Sequence, residues 1–314
     1  MFLDLVPKFL PITLLLLIGF TIKKTRFLSE LSIQELKKFI VNISLPALLF
    51  FSFLKTDFEI KYIVIITVIL FLNALMLGIG KAIQYLLKID NPYFSLMFTG
   101  FEMGMLGFSL YGSVYGPESI GFIGVLDLGQ EIFVWFILVS LLQSLRNGEI
   151  RAKSSLINFI KSPVIIAISF GIILNILGLG DRLNDHVVIS GLIATLSRLS
   201  QVTIPFILII IGYQLNFRFT KIRLPLLTVV LRLVLLIVAG TLINALVFGN
   251  VLHLDTRFTT ALFTLLLLPP PFIIPLYMGD NDVDREEYVG NTLSIGTIFT
   301  IVGFFVMVLL FSFQ

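Results

Sequence analysis

Apolar residues run along this chain in blocks of about 20, parted by short polar connections, and each block is apolar throughout rather than alternating. The blocks fall at 5–22, 38–54, 60–80, 93–113, 119–145, 161–179, 188–215, 222–249, 257–278 and 286–313. A helix needs about 20 predominantly apolar residues to cross a hydrocarbon core, so the pattern predicts an all-α integral membrane protein with ten transmembrane helices. A membrane β-barrel would impose a period of two along each strand, which these blocks lack. Composition points the same way: of 314 residues 57% are hydrophobic and 13% charged, with a mean hydropathy of +1.04.

Little chain is left for a soluble domain. The longest connection, "RNGEIRAKSSLINFIK" at 146–161, is a linker carrying four basic residues. Cysteine is absent, which removes disulfides and thiolate metal sites. An apolar run follows Lys8, but "KKTR" comes directly after it with no small-residue cleavage pattern, so the first block reads as a retained helix. Fifteen Lys and Arg residues between Lys23 and Arg285 fall on loops of one side, whereas the other side carries Lys55, Lys61, Arg182 and Arg257. By the positive-inside rule the basic side is cytoplasmic, which predicts a multi-pass protein of the plasma or inner membrane with both termini extracytoplasmic.

The chain also repeats. "NISLPALLFFSFL" (42–54) and "QVTIPFILIIIGY" (201–213) each set an amide, Asn42 or Gln201, four positions before a proline, Pro46 or Pro205. Pro7 and Pro163 match in the first helix of each half. The expected halves are 1–150 and 151–314, and a five-helix unit repeated in one chain must insert the second time upside down.

Such a repeat pairs helix four with helix nine, and both predict interruptions. Helix nine contains "LLLLPPPFIIPLYMG" (265–279), where Pro269, Pro270, Pro271 and Pro275 remove backbone donors and free the carbonyls of Leu265, Leu266, Leu267 and Pro271. Beyond the break a half-helix from near Phe272 would offer N–H groups to an anion. Helix four contains "FEMGMLGFSLYGSVYG" (101–116), whose glycines, Gly104, Gly107, Gly112 and Gly116, predict a break there, beside Glu102 and Ser109. Backbone groups left unpaired in hydrocarbon line a polar cavity or bind something, so two broken helices crossing at the midplane mark the expected substrate site.

Near mid-depth the blocks carry the ionisable residues Glu102, Asp127, Glu131 and Arg232. Such groups cost about 3 kcal/mol each to insert, so they face water or a partner. Glu102 is the first candidate for a proton-coupling carboxylate, with Asp127 and Glu131, spaced i, i+4, as the second. Arg232 either braces one acid permanently or steers an anionic substrate. Sodium is the alternative coupling ion, held by carboxylates and freed carbonyls. Asn42 and Gln201 line the cavity or bond the carbonyls their prolines free. Asn291, Ser294 and Thr297 share a face of helix ten that borders the cavity or joins helices. His186 and His253 read as solvated loop residues, Trp135 as packing, and "GDNDVDREE" (279–287) as a solvated turn. No metalloprotease or phosphate-loop motif appears, so the reading is a transporter and not an enzyme; a channel would be told apart by unitary currents.

Several of these stretches together, "NISLPALLF", the glycine-rich run ending in "VYG", "DLGQEIFVW", "IPFILIIIGYQL" and "PPPFIIPLYM", resemble the auxin efflux carrier family of permeases, within the bile acid/auxin/arsenite transporter superfamily. The resemblance implies a scaffold domain of helices one, two, six and seven and a moving transport domain of helices three to five and eight to ten. It implies Glu102, Gly104, Gly107, Pro269, Pro270 and Pro271 at the crossing, a small organic anion as substrate, and a homodimer through the scaffold in the lipid bilayer. No cofactor other than a coupling H+ or Na+, no metal and no nucleic acid is expected. The chain departs from the family's pattern at Glu102, an acid where the family has asparagine, and at Ser109, where it has proline.

Overall fold

The computed structural model describes residues 2–56, 59–147, 157–180, 183, 187–214, 221–278 and 283–311, without the side chains of 2–6 and 8. All regular elements among the described residues are helical. In chain order the principal α-helices are α1 (Phe2–Thr25), α2 (Glu30–Phe39), α3 (Leu45–Leu54), α4 (Lys61–Leu86), α5 (Phe108–Tyr115), α6 (Ile120–Phe133), α7 (Val139–Asn147), α8 (Pro163–Ile176), α9 (Val187–Gln201), α10 (Thr203–Gln214), α11 (Arg223–Leu242), α12 (Thr256–Leu267) and α13 (Val283–Phe311).

Several of these join into longer rods. Among the described residues, six stretches are long and apolar enough to cross a membrane: Glu30–Leu54, Lys61–Leu86, Pro117–Arg146, Val187–Gln214, Arg223–Gly249 and Val283–Phe311. Large apolar side chains stand exposed along them, among them Phe71, Leu242 and Val302, a surface that calls for lipid rather than water. The protein is an all-α, multi-pass membrane protein. α8 and α12 are apolar but have only 14 and 12 residues.

Local sequence explains where the rods bend and stop. Pro46 has no N–H to give, and the chain ahead of it widens into a π turn, Ile40–Ser44, in which the N–H of Leu45 reaches Ile40 O. Asn42 does not bond the carbonyl its proline frees: its Nδ2 donates to Lys38 O at 2.7 Å. α2 starts at Ser29, whose hydroxyl accepts the Ser32 N–H, and α12 starts at Asp255, which accepts the Arg257 N–H. α12 ends at Leu268, held extended (φ −63°, ψ 148°), because a residue preceding proline is pushed out of the helical region.

The chain divides into two compact units. The first comprises Met1–Glu59, Gly104–Gly124 and Ile160–Leu215. In it α1 packs on α10 and α3 on α8. Small residues permit the approach: a Cβ on Gly19 would overlap the Ile209 carbonyl, and one on Gly212 would overlap Leu16 O. The second unit comprises Ile60–Met103, Val125–Phe159 and Asn216–Gln314. Here α11, α12 and α13 pack on one another, and α4 packs on a 3-10 turn at Ser95–Phe98. Both interruptions, and the side chains that hold them, lie in this second unit.

Candidate functional site

Two stretches of the second unit are not helical where the apolar pattern continues: Thr99–Glu102 and Leu268–Ile273. Each must find partners for backbone groups that a helix would have satisfied internally. The second stretch is a direct result of its prolines. The first differs from expectation, because the glycine-rich segment is helical: Met103–Gly107 forms a π turn that runs into α5, and the break falls just ahead of it. Gly112 serves packing, since a Cβ there would come within 2.8 Å of Ile204 Cδ1. Gly100 makes the break, with φ +65°, a conformation that disfavours any residue with a Cβ. Glu102 therefore lies in an irregular link rather than on a helix.

The two stretches are bonded to each other. The Glu102 N–H donates to Pro269 O at 2.9 Å, and the Phe272 N–H donates to the Glu102 carboxylate at 2.6 Å. This corrects the idea of a half-helix open to an external anion. Past Phe272 the chain makes a single 3-10 turn, Ile274–Tyr277, and the protein's own carboxylate already holds the N–H.

Side chains from four helices hold the rest of the two stretches and their edges. Asn73 of α4 accepts the Gly100 N–H at 2.7 Å, and Gln130 of α6 accepts the Phe101 N–H at 2.9 Å. Arg232 of α11 donates from one terminal nitrogen to Leu268 O at 2.5 Å and from the other to Gly100 O at 2.6 Å. Its guanidinium stands 5.0 Å from the Phe101 ring centroid, a cation–π arrangement. In addition, Thr300 of α13 donates to Leu267 O at 2.5 Å, and Leu265 O and Pro271 O accept the N–H groups of Leu268 and Ile274. Pro269, Pro270 and Pro271 are buried, and Gly296 of α13 leaves room for Pro269, whose Cβ an added methyl would meet at 2.9 Å.

The acids form a second layer joined through Gln130. Its amide donates to Asp127 at 2.9 Å and to Glu131 at 3.5 Å, and the Trp135 indole N–H donates to Glu131 at 2.8 Å. Trp135 is thus a hydrogen-bond partner as well as a packing group. Asp127 is buried. Arg232 makes no ion pair with any of them among the described residues, so its role as a brace on an acid gives way to one on carbonyls.

The other candidates stand apart from this cluster in kind. Gly104 and Gly107 belong to the π turn, in the first unit. Asn42 and Gln201, also in the first unit, are exposed. Thr297 turns back on its own helix, donating to Leu293 O at 2.8 Å. His186 lies outside the described residues, and His253 adopts φ +47° in the connection before α12.

Asn73 and Gln130 escape motif reading, although each is an amide in the middle of an apolar span, which is the signal that marks them. Replacing Asn73 with Leu is expected to strand the buried Gly100 N–H and to cost about 1–3 kcal/mol, read as a lowered thermal midpoint.

No family model matches the chain. The chain is 28% identical over 221 residues to an uncharacterized transporter of Methanothermobacter thermautotrophicus, a match covering 68% of each. This likeness supports a transporter. It carries no substrate, coupling ion or mechanism, and the resemblance to the auxin efflux carrier family remains a reading of the motifs.

Proposed function

We propose that the protein is a secondary active transporter of a small organic anion, a carboxylate, working by alternating access and coupled to protons through Glu102. In this reading the helices form two inverted five-helix repeats, 1–150 and 151–314, and the two interrupted stretches cross at the midplane of the cell membrane. Both termini are extracytoplasmic, and a homodimer forms through helices one, two, six and seven.

The observation that carries the reading is the 2.6 Å bond from the Phe272 N–H to the Glu102 carboxylate. An ionised carboxylate is the stronger acceptor for such a donor, and a protonated one is weaker. Protonation of Glu102 therefore loosens its hold on the N–H and makes that donor available to a substrate carboxylate. The incoming anion takes over the bond that the protein's own acid gives up, so proton and substrate load together. Asp127 and Glu131, linked through Gln130 to Phe101, are a reserve of carboxylates beside the path.

The test is uptake of labelled mono- and dicarboxylates into proteoliposomes with an imposed pH gradient. Saturable uptake driven by external acid, with counterflow, is the expected result. Uptake indifferent to the gradient overturns proton coupling, and unitary currents in place of saturation overturn the carrier.

A further inference from the structure

We propose that the Arg232 guanidinium is a tethered cation, standing at the crossing of the two irregular stretches where a free monovalent ion would otherwise be required, so that the crossing neither binds nor needs sodium. Its bearing on transport rests on the carrier reading above; its cation chemistry does not.

Irregular backbone inside a protein turns carbonyl dipoles inward, and converging carbonyls in a dry environment call for positive charge. A hard cation satisfies that call when several oxygens are free to ligate it. Here five such oxygens already accept a hydrogen bond. Gly100 O and Leu268 O, one from each stretch, accept from the two ends of Arg232. Pro269 O accepts the Glu102 N–H, Leu267 O the Thr300 hydroxyl, and Pro271 O the Ile274 N–H.

The arginine itself is placed as an ion would be. It is only 2% exposed, with no carboxylate in salt-bridge contact among the described residues. An arginine serving as a strut would fork onto an acid, two parallel bonds to one planar group. This one spreads its two terminal nitrogens over carbonyls from different segments, and its Nε, buried, has no hydrogen-bond partner. Such an arrangement uses the charge and the span of the group rather than its fork. Arg232 is thus a positioning residue: it clasps the two stretches that carry Glu102 and Phe272.

The test needs no transport. Thermal unfolding of the purified protein in detergent is followed in lithium, sodium, potassium and choline chloride at equal ionic strength, for the wild type, Arg232→Ala and Arg232→Lys. The wild type is expected to unfold at the same midpoint in all four salts. Arg232→Ala is expected to be less stable in choline and to recover with the concentration of a small cation, saturably. An ion at ten times its dissociation constant raises the folded-to-unfolded ratio about eleven-fold. Arg232→Lys, which keeps a charge on the chain, is expected to stay indifferent to sodium. A sodium-specific gain by the wild type or by the lysine variant overturns the proposal. So does a folded Arg232→Ala protein that responds to none of the small cations; should that variant not fold, the other two proteins decide. Because no gradient enters, absence of transport leaves this result standing, and a sodium response leaves the assignment of Glu102 standing.

Discussion

Glu102→Gln is expected to abolish accumulation driven by a pH gradient while leaving a folded protein. Glutamine has nearly the same shape and keeps an oxygen that accepts the Phe272 N–H, so the 2.6 Å contact survives as a neutral bond. Losing the charge on that acceptor costs about 1 kcal/mol, too little to unfold a domain. The backbone tie from Glu102 N–H to Pro269 O is untouched by the side-chain change. The proton alone disappears. For one-to-one symport, a gradient of one pH unit sustains about ten-fold accumulation, and the variant should reach only equal concentrations on both sides. Substrate binding should also lose its dependence on pH, because glutamine permanently imitates the protonated acid. Gradient-driven accumulation by Glu102→Gln at the wild-type level would place the coupling carboxylate elsewhere, with Asp127 and Glu131 next to be tried.

The second large effect is on stability. Gly100→Ala is expected to destabilise the protein by roughly 2–5 kcal/mol. Two causes add. At φ +65° an L side chain is strained, which costs about 1–2 kcal/mol. An added Cβ would also overlap Pro271 Cγ and come within 2.9 Å of its Cδ, and overpacking of that kind costs about 1–3 kcal/mol. The proline ring is closed and buried, so it has no flexible end with which to yield. Gly78→Ala in α4 is the matching control. Nothing lies within 4 Å of a Cβ placed there, and removing a helical glycine should stabilise by about 0.5–1 kcal/mol. A midpoint for Gly100→Ala equal to that of Gly78→Ala would show that the two stretches do not touch as described.

The sequence exposed the elements better than their junctions. Continuous apolar runs are imposed by lipid along the whole length of a rod, so the apolar blocks and the observed helices fall largely on the same residues. Pro269, Pro270 and Pro271 mark the end of α12 because proline acts on its own backbone, with no help from the rest of the fold. Glycine is less legible: Gly112 is there for a neighbour's side chain and Gly100 for its own dihedral, and only the second opens the chain. The partner of Arg232 was out of reach for a further reason. Charge counting pairs a buried base with a buried acid, whereas the observed partners are backbone carbonyls, which every residue carries and no sequence distinguishes. Asn73 and Gln130 were readable in principle, since an amide inside an apolar helix has to find a partner there.

A charge fixed to the polypeptide has no concentration. The guanidinium that bridges Gly100 O and Leu268 O arrives with the ribosome's product, and it does not leave when the surroundings are diluted. If that charge stands in for a free ion as proposed, the two stretches should hold together equally in fresh water and in brine, with nothing to be collected from the medium.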